Sequence, residues 1–382
     1  MLEMRTPRWR TPPRAGRLPS TGLTDVLVTG AGAAGLALAI DLARHRVDTV
    51  LLAVGTESGA ATESAVATAS PSAPVPLVAL DVPSQEMLDD LGVLDRLIAT
   101  AGGDGSVGRR SSVMSDLEPL AVPRRALLRV LYDRLVELGG RVHRGYTYAG
   151  CEPDGARLDA YLGGPDGPIT VRARYLVRTD VRESAVDGAR RFAVGGAGLS
   201  GDASRPLQDA YDLGWKLAAA SGGAPEWVGQ TYLIERIAGR VSGLTLPTSR
   251  PRPPGAAVPG DRAPDARIQT ASGAASRLAA LLHGPHWTLL GYGLEPAAFA
   301  GAGFAACAGL HVHAVGGYGD LVDVVDLEGE LRWAYGLTEG DWVLIRPDSR
   351  IAAVEGRDGL TRLHAHLADL GLRGEGADAP SL

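Results

Sequence analysis

The chain has almost no lysine: Lys216 stands alone among 38 basic residues in 382, and every other one is arginine. With 51 glycines and abundant alanine, that excess reads as GC-rich coding. The net charge of −6 argues against an arginine-built nucleic-acid surface, so no nucleic-acid partner is expected. Cysteine is nearly absent too. Cys151 and Cys307 lie far apart and neither sits in a Cys-x-x-Cys, which excludes a disulfide framework or a zinc ribbon and leaves no metal site to propose. Long apolar runs are missing: stretches such as Ala33 to Ile40 fall well short of the ~20 residues that span a bilayer. A soluble, cytoplasmic protein without a membrane partner is expected. The arginines at 5, 8, 10, 14 and 17 imitate the start of a signal peptide, but no apolar segment follows and Pro7, Pro12, Pro13 and Pro19 intervene. Residues 1–22 therefore read as a disordered arm.

What is present is ordinary globular material, 45% hydrophobic and 21% charged, and the length suits about two domains of ~100–200 residues. Asp25-Val-Leu-Val-Thr-Gly30 reads as a buried strand. Ala31-Gly32-Ala-Ala-Gly35 then opens an Ala/Leu-rich helix to about Arg46, and a second strand covers Val47 to Val54. Strand, glycine turn, helix, strand is the setting in which Gly-x-Gly-x-x-Gly binds a dinucleotide. The glycines permit a tight turn and close approach of backbone N–H groups to a pyrophosphate at the helix's positive end. Thr56 to Pro76 reads as loop. Helical spacing runs over Ser84 to Ala101 and Arg124 to Leu138, strands are expected at Arg141 to Tyr148, Ala156 to Leu162 and Ile169 to Val177, and helices at Pro206 to Ala219 and Glu226 to Ser242. The proline-rich stretch 244–264 reads as a linker, followed by a mixed α/β domain over 265–372 and a tail over 373–382. Strands are expected there at Trp287 to Gly291, Leu310 to Val315, Trp342 to Pro347 and Arg350 to Val354, and a last helix near Gly359 to Leu370. His311 and His313 would share a strand face and are read as packed or exposed rather than ligating. Asp320, Asp323 and Asp326 read as a solvated edge.

Several ordered blocks resemble the class A flavoprotein aromatic monooxygenases, in particular polyketide-tailoring hydroxylases with a C-terminal thioredoxin-like domain. Val28-Thr-Gly-Ala-Gly-Ala-Ala-Gly-Leu36 is similar to their FAD fingerprint, and Met87 to Leu97 to their next helix. Val122-Pro-Arg-Arg-Ala-Leu-Leu128 resembles the flavin-contacting arginine segment, and Tyr175-Leu-Val-Arg-Thr-Asp180 the Asp-Gly motif. Gln208 to Ala218 and Tyr232-Leu-Ile-Glu-Arg236 resemble the helices that follow; Pro259 to Pro264 and Val343 to Asp348 resemble motifs of the last domain. The resemblance implies an α/β fold: a Rossmann-like FAD/NAD(P)-binding domain over 23–243 with a truncated substrate sheet, and a thioredoxin-like α/β domain over 265–372. It implies that Gly30, Gly32, Gly35, Arg124, Arg125, Asp180 and Asp202 form a weakened or vestigial FAD site.

The departures set the functional expectation. Ala53 stands where the family carries an acid for the ribose, Glu57 being the nearest replacement, and Val181 follows Asp180 in place of glycine, with Glu183 where the pattern has arginine. The pyrophosphate and ring loop is cut to either Gly195-Gly196-Ala197 or Gly201-Asp202-Ala203, and about 15 residues replace much of the substrate-binding sheet. The expectation is no FAD or weakly bound FAD, with flavin redox impaired. It assigns the chain to polyketide or aromatic natural-product biosynthesis, acting by non-redox cyclisation or rearrangement of a small-molecule polyketide or aromatic substrate. The alternatives are an FAD-dependent aromatic polyketide hydroxylase and a non-catalytic partner of an intact monooxygenase. A homodimer is the other association considered. No catalytic residue is assigned; Ser200 and Ser204 have no base beside them in sequence. Without a resolving partner for Cys307, the last domain is expected to serve packing or dimerisation rather than redox.

Overall fold

A computed structural model describes residues 18, 21–53, 76–102, 119–182, 184–188, 190–195, 203–238, 244–248, 252–301, 304, 307, 309–317 and 322–372. Two compact units divide the chain at Ala210/Tyr211.

In the first unit, β1 (Thr21–Thr29) leads through the glycine turn into α1 (Ala33–Arg44) and then β2 (Thr49–Leu52), which pairs parallel to β1. Val26, Leu27, Val28, Leu51 and Leu52 are at most 1% exposed, as a strand covered on both faces requires. Three antiparallel strands follow, β6 (Thr147–Asp154), β7 (Arg157–Gly164) and β8 (Gly167–Val181). On its other edge β8 runs parallel beside β1 from Thr170 to Arg178, with Val28 opposite Val177. The main path of the sheet is β5 (Val142–His143), β2, β1, β8, β10 (Arg191–Gly195) and β9 (Ala185–Asp187). Residues 141–148 do not form the single strand expected, because Gly145 at φ +79° breaks the run between β5 and β6. The helix expected over 84–101 is likewise two, α2 (Val82–Asp90) and α3 (Leu94–Gly102), parted where Gly92 at φ +75° closes α2 in a left-handed cap. A small antiparallel pair, β3 (Leu77–Leu80) with β4 (Leu120–Pro123), is the only other sheet among the described residues of this unit. α4 (Arg124–Glu137) follows β4 directly and packs on α1.

The second unit contains the later part of α5 (Ser204–Gly222), together with α6 (Trp227–Ala238) and a seven-stranded sheet. Its centre is thioredoxin-like: β14 (Leu310–Gly316) parallel to β13 (Trp287–Tyr292), then β16 (Asp341–Ile345) and β17 (Ile351–Glu355), both antiparallel. The α8 helix (Leu360–Asp369) follows β17. A strand trio unforeseen from sequence, β12 (Ala275–Arg277), β11 (Arg267–Thr270) and β15 (Val324–Val325), extends the β14 edge. The boundary lies earlier than the expected linker. Trp215, Val228 and Leu244 belong to the same core cluster as Trp287, Leu289 and Trp342, so burial of those side chains ties the end of α5 and all of α6 to the second unit. The segment read as a free linker is itself fastened down. Leu246 N–H donates to Ala352 O at 2.9 Å, Ala257 N–H to Ala334 O at 2.9 Å and Gly260 N–H to Ile351 O at 2.8 Å.

Of the aspartate series, Asp323 is exposed, as a solvated edge requires, and Asp326 is not. Asp326 is 5% exposed and accepts from the N–H groups of Leu331 and Arg332 at the start of α7 (Glu330–Tyr335), while Asp323 accepts from Ala314 N–H. Asp320 lies outside the described residues. His311 and His313 lie on β14 with His286 stacked on His311 at 3.6 Å, and burial lowers the His313 pKa. Among the described residues no group of three or more His, Cys, Asp or Glu could hold a metal ion, and no helix is long and apolar enough to cross a membrane.

Candidate functional site

The glycine turn is built by contacts that a Cβ would destroy. Gly30 has φ +100° and donates its N–H to Leu52 O at 2.8 Å, which holds the turn against the end of β2. A Cβ on Gly30 would come within 2.5 Å of Thr179 Oγ1, and one on Gly35 within 1.9 Å of Gly30 O. Gly32 is different. Its backbone is extended at φ −75°, and nothing lies within 4 Å of where its Cβ would be. Two glycines are thus demanded by packing, while the third fronts open space at the start of α1. That helix start has no side-chain cap and no acidic residue in its first turn, so its positive end is not neutralised from within the helix.

Thr179, which the sequence did not single out, holds this arrangement. Its hydroxyl donates to Gly30 O at 2.7 Å and to Thr29 O at 3.0 Å, bridging β8 to the turn across about 150 residues of sequence. The one available signal was its place beside Asp180 in a block already marked by resemblance. Asp180 accepts from Thr29 Oγ1 at 2.9 Å and from the Arg178 guanidinium at 3.2 and 3.3 Å, so its carboxylate ties β8 to β1. Val181 continues β8 and pairs with Gly195. The backbone after Asp180 therefore stays in the sheet instead of turning.

Arg124 and Arg125 open α4 and are exposed, with no acidic residue in that helix's first turn. Cations at a helix N-terminus oppose the macrodipole, which favours negative charge there. Asp202, Glu57 and Glu183 lie outside the described residues, as do Ser200 and the glycines at 196 and 201. Ser204 is 6% exposed and structural: it accepts from Asp81 N–H at 2.9 Å and donates to Ala79 O at 3.3 Å. Asp81 caps α2 through Ser84 N–H and accepts from Gln208 Nε2 at both carboxylate oxygens, 2.9 Å each, while the same Nε2 reaches Ser84 Oγ at 3.0 Å. Burial pushes its carboxyl upward, but the hydrogen bonds from Ser84, Gln208 and Ser204 outweigh that and hold it below the ordinary aspartate value. This network orders the β3–α2 corner and carries no reacting group.

The fit to FAD divides along the cofactor. The turn at Gly30–Gly35, the uncapped end of α1 and the open approach at Gly32 suit a diphosphate. Where the resemblance places a ribose-binding acid, Ala53, 5% exposed, follows β2 with a methyl group and its N–H is spent on His143 O; Glu57, the nearest replacement, lies outside the described residues. The strand-bound Val181 likewise leaves no glycine at the second approach.

Comparisons with known proteins agree with the fold. Residues 23–204 match the FAD binding domain family and residues 260–370 the HcaD C-terminal domain. A flavin-dependent monooxygenase of Mycobacteroides abscessus is 34% identical over 175 residues, 35% of this chain and 35% of that protein. A rifampicin monooxygenase of Rhodococcus hoagii is 27% identical over 181 residues, 45% of this chain and 34% of that protein. The chain spans about a third of the length of these curated relatives. The crystal structure of aklavinone-11 hydroxylase with FAD and aklavinone superposes with a TM-score of 0.69 at 18% identity, covering 91% of this chain and 98% of that one. With both units accounted for, the chain resembles the class A FAD-dependent aromatic monooxygenases and has their fold, an FAD-binding α/β domain followed by a thioredoxin-like domain.

Proposed function

We propose that the chain acts on a polyketide or aromatic small molecule in natural-product tailoring, that it holds a dinucleotide diphosphate weakly at the Gly30–Gly35 turn, and that it does not run a competent flavin hydroxylation cycle. The observation that carries this reading is the split at the cofactor crevice: an intact diphosphate cradle beside Ala53 and a strand-bound Val181. A missing ribose hydrogen bond costs only about 0.5–1.5 kcal/mol; the heavier loss lies in positioning the reacting ring, which contributes ~7–11 kcal/mol to such barriers, because the loop expected to hold that ring is shortened in the sequence. FAD, when bound in this fold, supplies oxygen-transfer chemistry.

A cyclisation or rearrangement needs less: a shaped apolar surface and groups that stabilise developing negative charge. The uncapped start of α1 and the exposed pair Arg124 and Arg125 are of the right sign to bind an enolate or carboxylate. Family likeness supports the second reading, an FAD-dependent hydroxylase, because the glycine turn keeps every contact that close approach of a diphosphate needs.

The test is purified full-length chain incubated with FAD, passed through gel filtration, then assayed for NAD(P)H oxidation and oxygen uptake with an aromatic polyketide. Substoichiometric flavin and no substrate-stimulated NAD(P)H oxidation are expected. Tight flavin retention with a hydroxylated product would refute the proposal and establish the hydroxylase.

A further inference from the structure

Thr29 and Arg178 are partners on the last rung of the β1–β8 ladder, and the turn begins with the next residue, Gly30. The backbone N of Asp180 lies 2.8 Å from where a Cβ on Gly30 would stand. Its carboxylate is tethered one residue before the turn, accepting from Thr29 Oγ1 at 2.9 Å. That spacing is short against the Debye length, ~10 Å at 0.1 M salt, so a bare carboxylate here would repel a diphosphate arriving at the turn. The carboxylate is not bare. Arg178 donates to it through both Nε and Nη2, at 3.3 and 3.2 Å, the paired geometry in which a guanidinium holds a carboxylate most specifically. The Tyr148 ring steadies the cation from a second side, with its centroid 5.3 Å from Arg178 Cζ. Side chains alternate along β8, so Thr179 points to Gly30 O while Arg178 and Asp180 lie on the opposite face. Arg178 therefore reaches the turn by charge and not by contact.

We infer that Arg178 is a positioning residue for the diphosphate: by pairing with Asp180 it neutralises the carboxylate that the sheet brings to the glycine turn, and so sets the affinity of that turn for an anionic nucleotide. This role rests on the diphosphate reading of the turn proposed above. α1 brings no acid to its first turn, so the helix end adds no negative charge of its own and the charge on Asp180 weighs correspondingly more. The Arg178 and Asp180 side chains are 39% and 19% exposed, which leaves their field open to screening by salt. A purely structural tie between β8 and β1 behaves differently. Removing either partner would weaken such a tie alike, whereas charge compensation gives the two removals opposite signs.

The experiment is calorimetric titration of the full chain with ADP, with Gly32→Ala as the control for the turn itself. Arg178→Gln leaves Asp180 bare and should weaken ADP binding about three- to tenfold at about 0.05 M NaCl, a loss that shrinks below about twofold at about 0.5 M. Arg178→Lys keeps the charge and should recover most of that loss. Asp180→Asn leaves the cation uncompensated and should tighten ADP about two- to fivefold, and the double variant should return to within about twofold of wild type. If ADP binds and Gly32→Ala weakens it, but Arg178→Gln leaves it unchanged, the role of Arg178 is overturned while the diphosphate reading stands. Equal losses in Arg178→Gln and Asp180→Asn at both salt concentrations overturn it in favour of a structural tie. Absence of ADP binding to the wild type overturns both. If Arg178→Gln fails to fold, the sign of the change in Asp180→Asn decides, and weakened binding there refutes the role.

Discussion

Lys216→Met is the substitution whose cost follows most directly from the structure. The side chains of Lys216 and Arg346 are both 0% exposed. Lys216 Nζ donates to Asp212 at 2.7 Å and Glu235 at 2.8 Å; Arg346 donates to Glu235 at 3.1 Å, Asp212 at 3.2 Å and Asp348 Oδ1 at 2.9 Å. Two cations thus face three carboxylates inside the second unit. Methionine matches the stem but leaves Arg346 alone against all three. Breaking a buried pair from one side costs about 3–5 kcal/mol, because the stranded charge keeps its desolvation penalty. For a unit of this size each kcal/mol is roughly 2–4 °C, so a drop of about 6–20 °C in Tm is expected by calorimetry or circular dichroism. The pH gives an internal check. Burial pushes Asp212 up to about 6, with Lys216 the strongest influence holding it down. Losing that cation raises Asp212 further, so it takes up a proton at pH 5 and relieves the excess negative charge, and the penalty at pH 5 should be smaller than at pH 8. Adding Glu235→Gln should recover part of the loss. A Tm within about 2 °C of wild type at pH 8, or a penalty that grows on acidification, would refute the reasoning.

The glycines of the turn should separate fold from ligand. Gly35→Ala places a Cβ within 1.9 Å of Gly30 O and should cost about 1–3 kcal/mol or more in chemical denaturation. Gly32→Ala, with open space around its Cβ, should change stability by no more than about 0.5 kcal/mol yet weaken FAD or ADP retention; equal stability losses in the two variants would contradict the assignment of the cradle. Asp41, 2% exposed on α1, is pushed up to about 7 by burial, partly offset by Arg44 and reinforced by Asp90, whereas burial and Arg44 lower His45 to about 4. The raised acid binds its proton more tightly when folded, so it contributes stability below pH 4 that is lost as pH rises through 7. The depressed histidine contributes stability above about 6.5 that is lost as pH falls through 4. The two slopes oppose each other between about pH 4 and 6.5. Asp41→Asn should unmask the histidine, so that stability climbs with pH across that window; a flat profile in the variant would count against it.

Much of the first unit was legible because its signals are local. The run Val26–Val28, the glycine turn and the apolar face of α1 sit within twenty-odd consecutive residues, and the parallel pairing of β1 and β2 follows from them. Gly92 and Gly145 were misread because a helical or strand pattern resumes just after them, so periodicity bridges a break that only a positive φ reveals. Thr179 was invisible for the opposite reason: its partners, Thr29 and Gly30, lie at the other end of the unit's sequence. The unit boundary was missed because Trp215 and Val228 look like core residues of any helix, and nothing in sequence says which core they join. Asp326 read as a charged edge because its cap partners arrive from the turn behind it.

The lone lysine, first noticed as a quirk of composition, makes the protein its own reporter. With Nζ sealed among carboxylates, an acylating reagent has no side-chain amine to reach while the fold holds, and gains one whenever that region opens. Lys216 also lies just past the Ala210/Tyr211 division, so a lysine-specific protease admitted by the same opening would part the chain close to the boundary between its two units. The rate of either reaction measures how often the buried charge cluster comes undone, with no label engineered in.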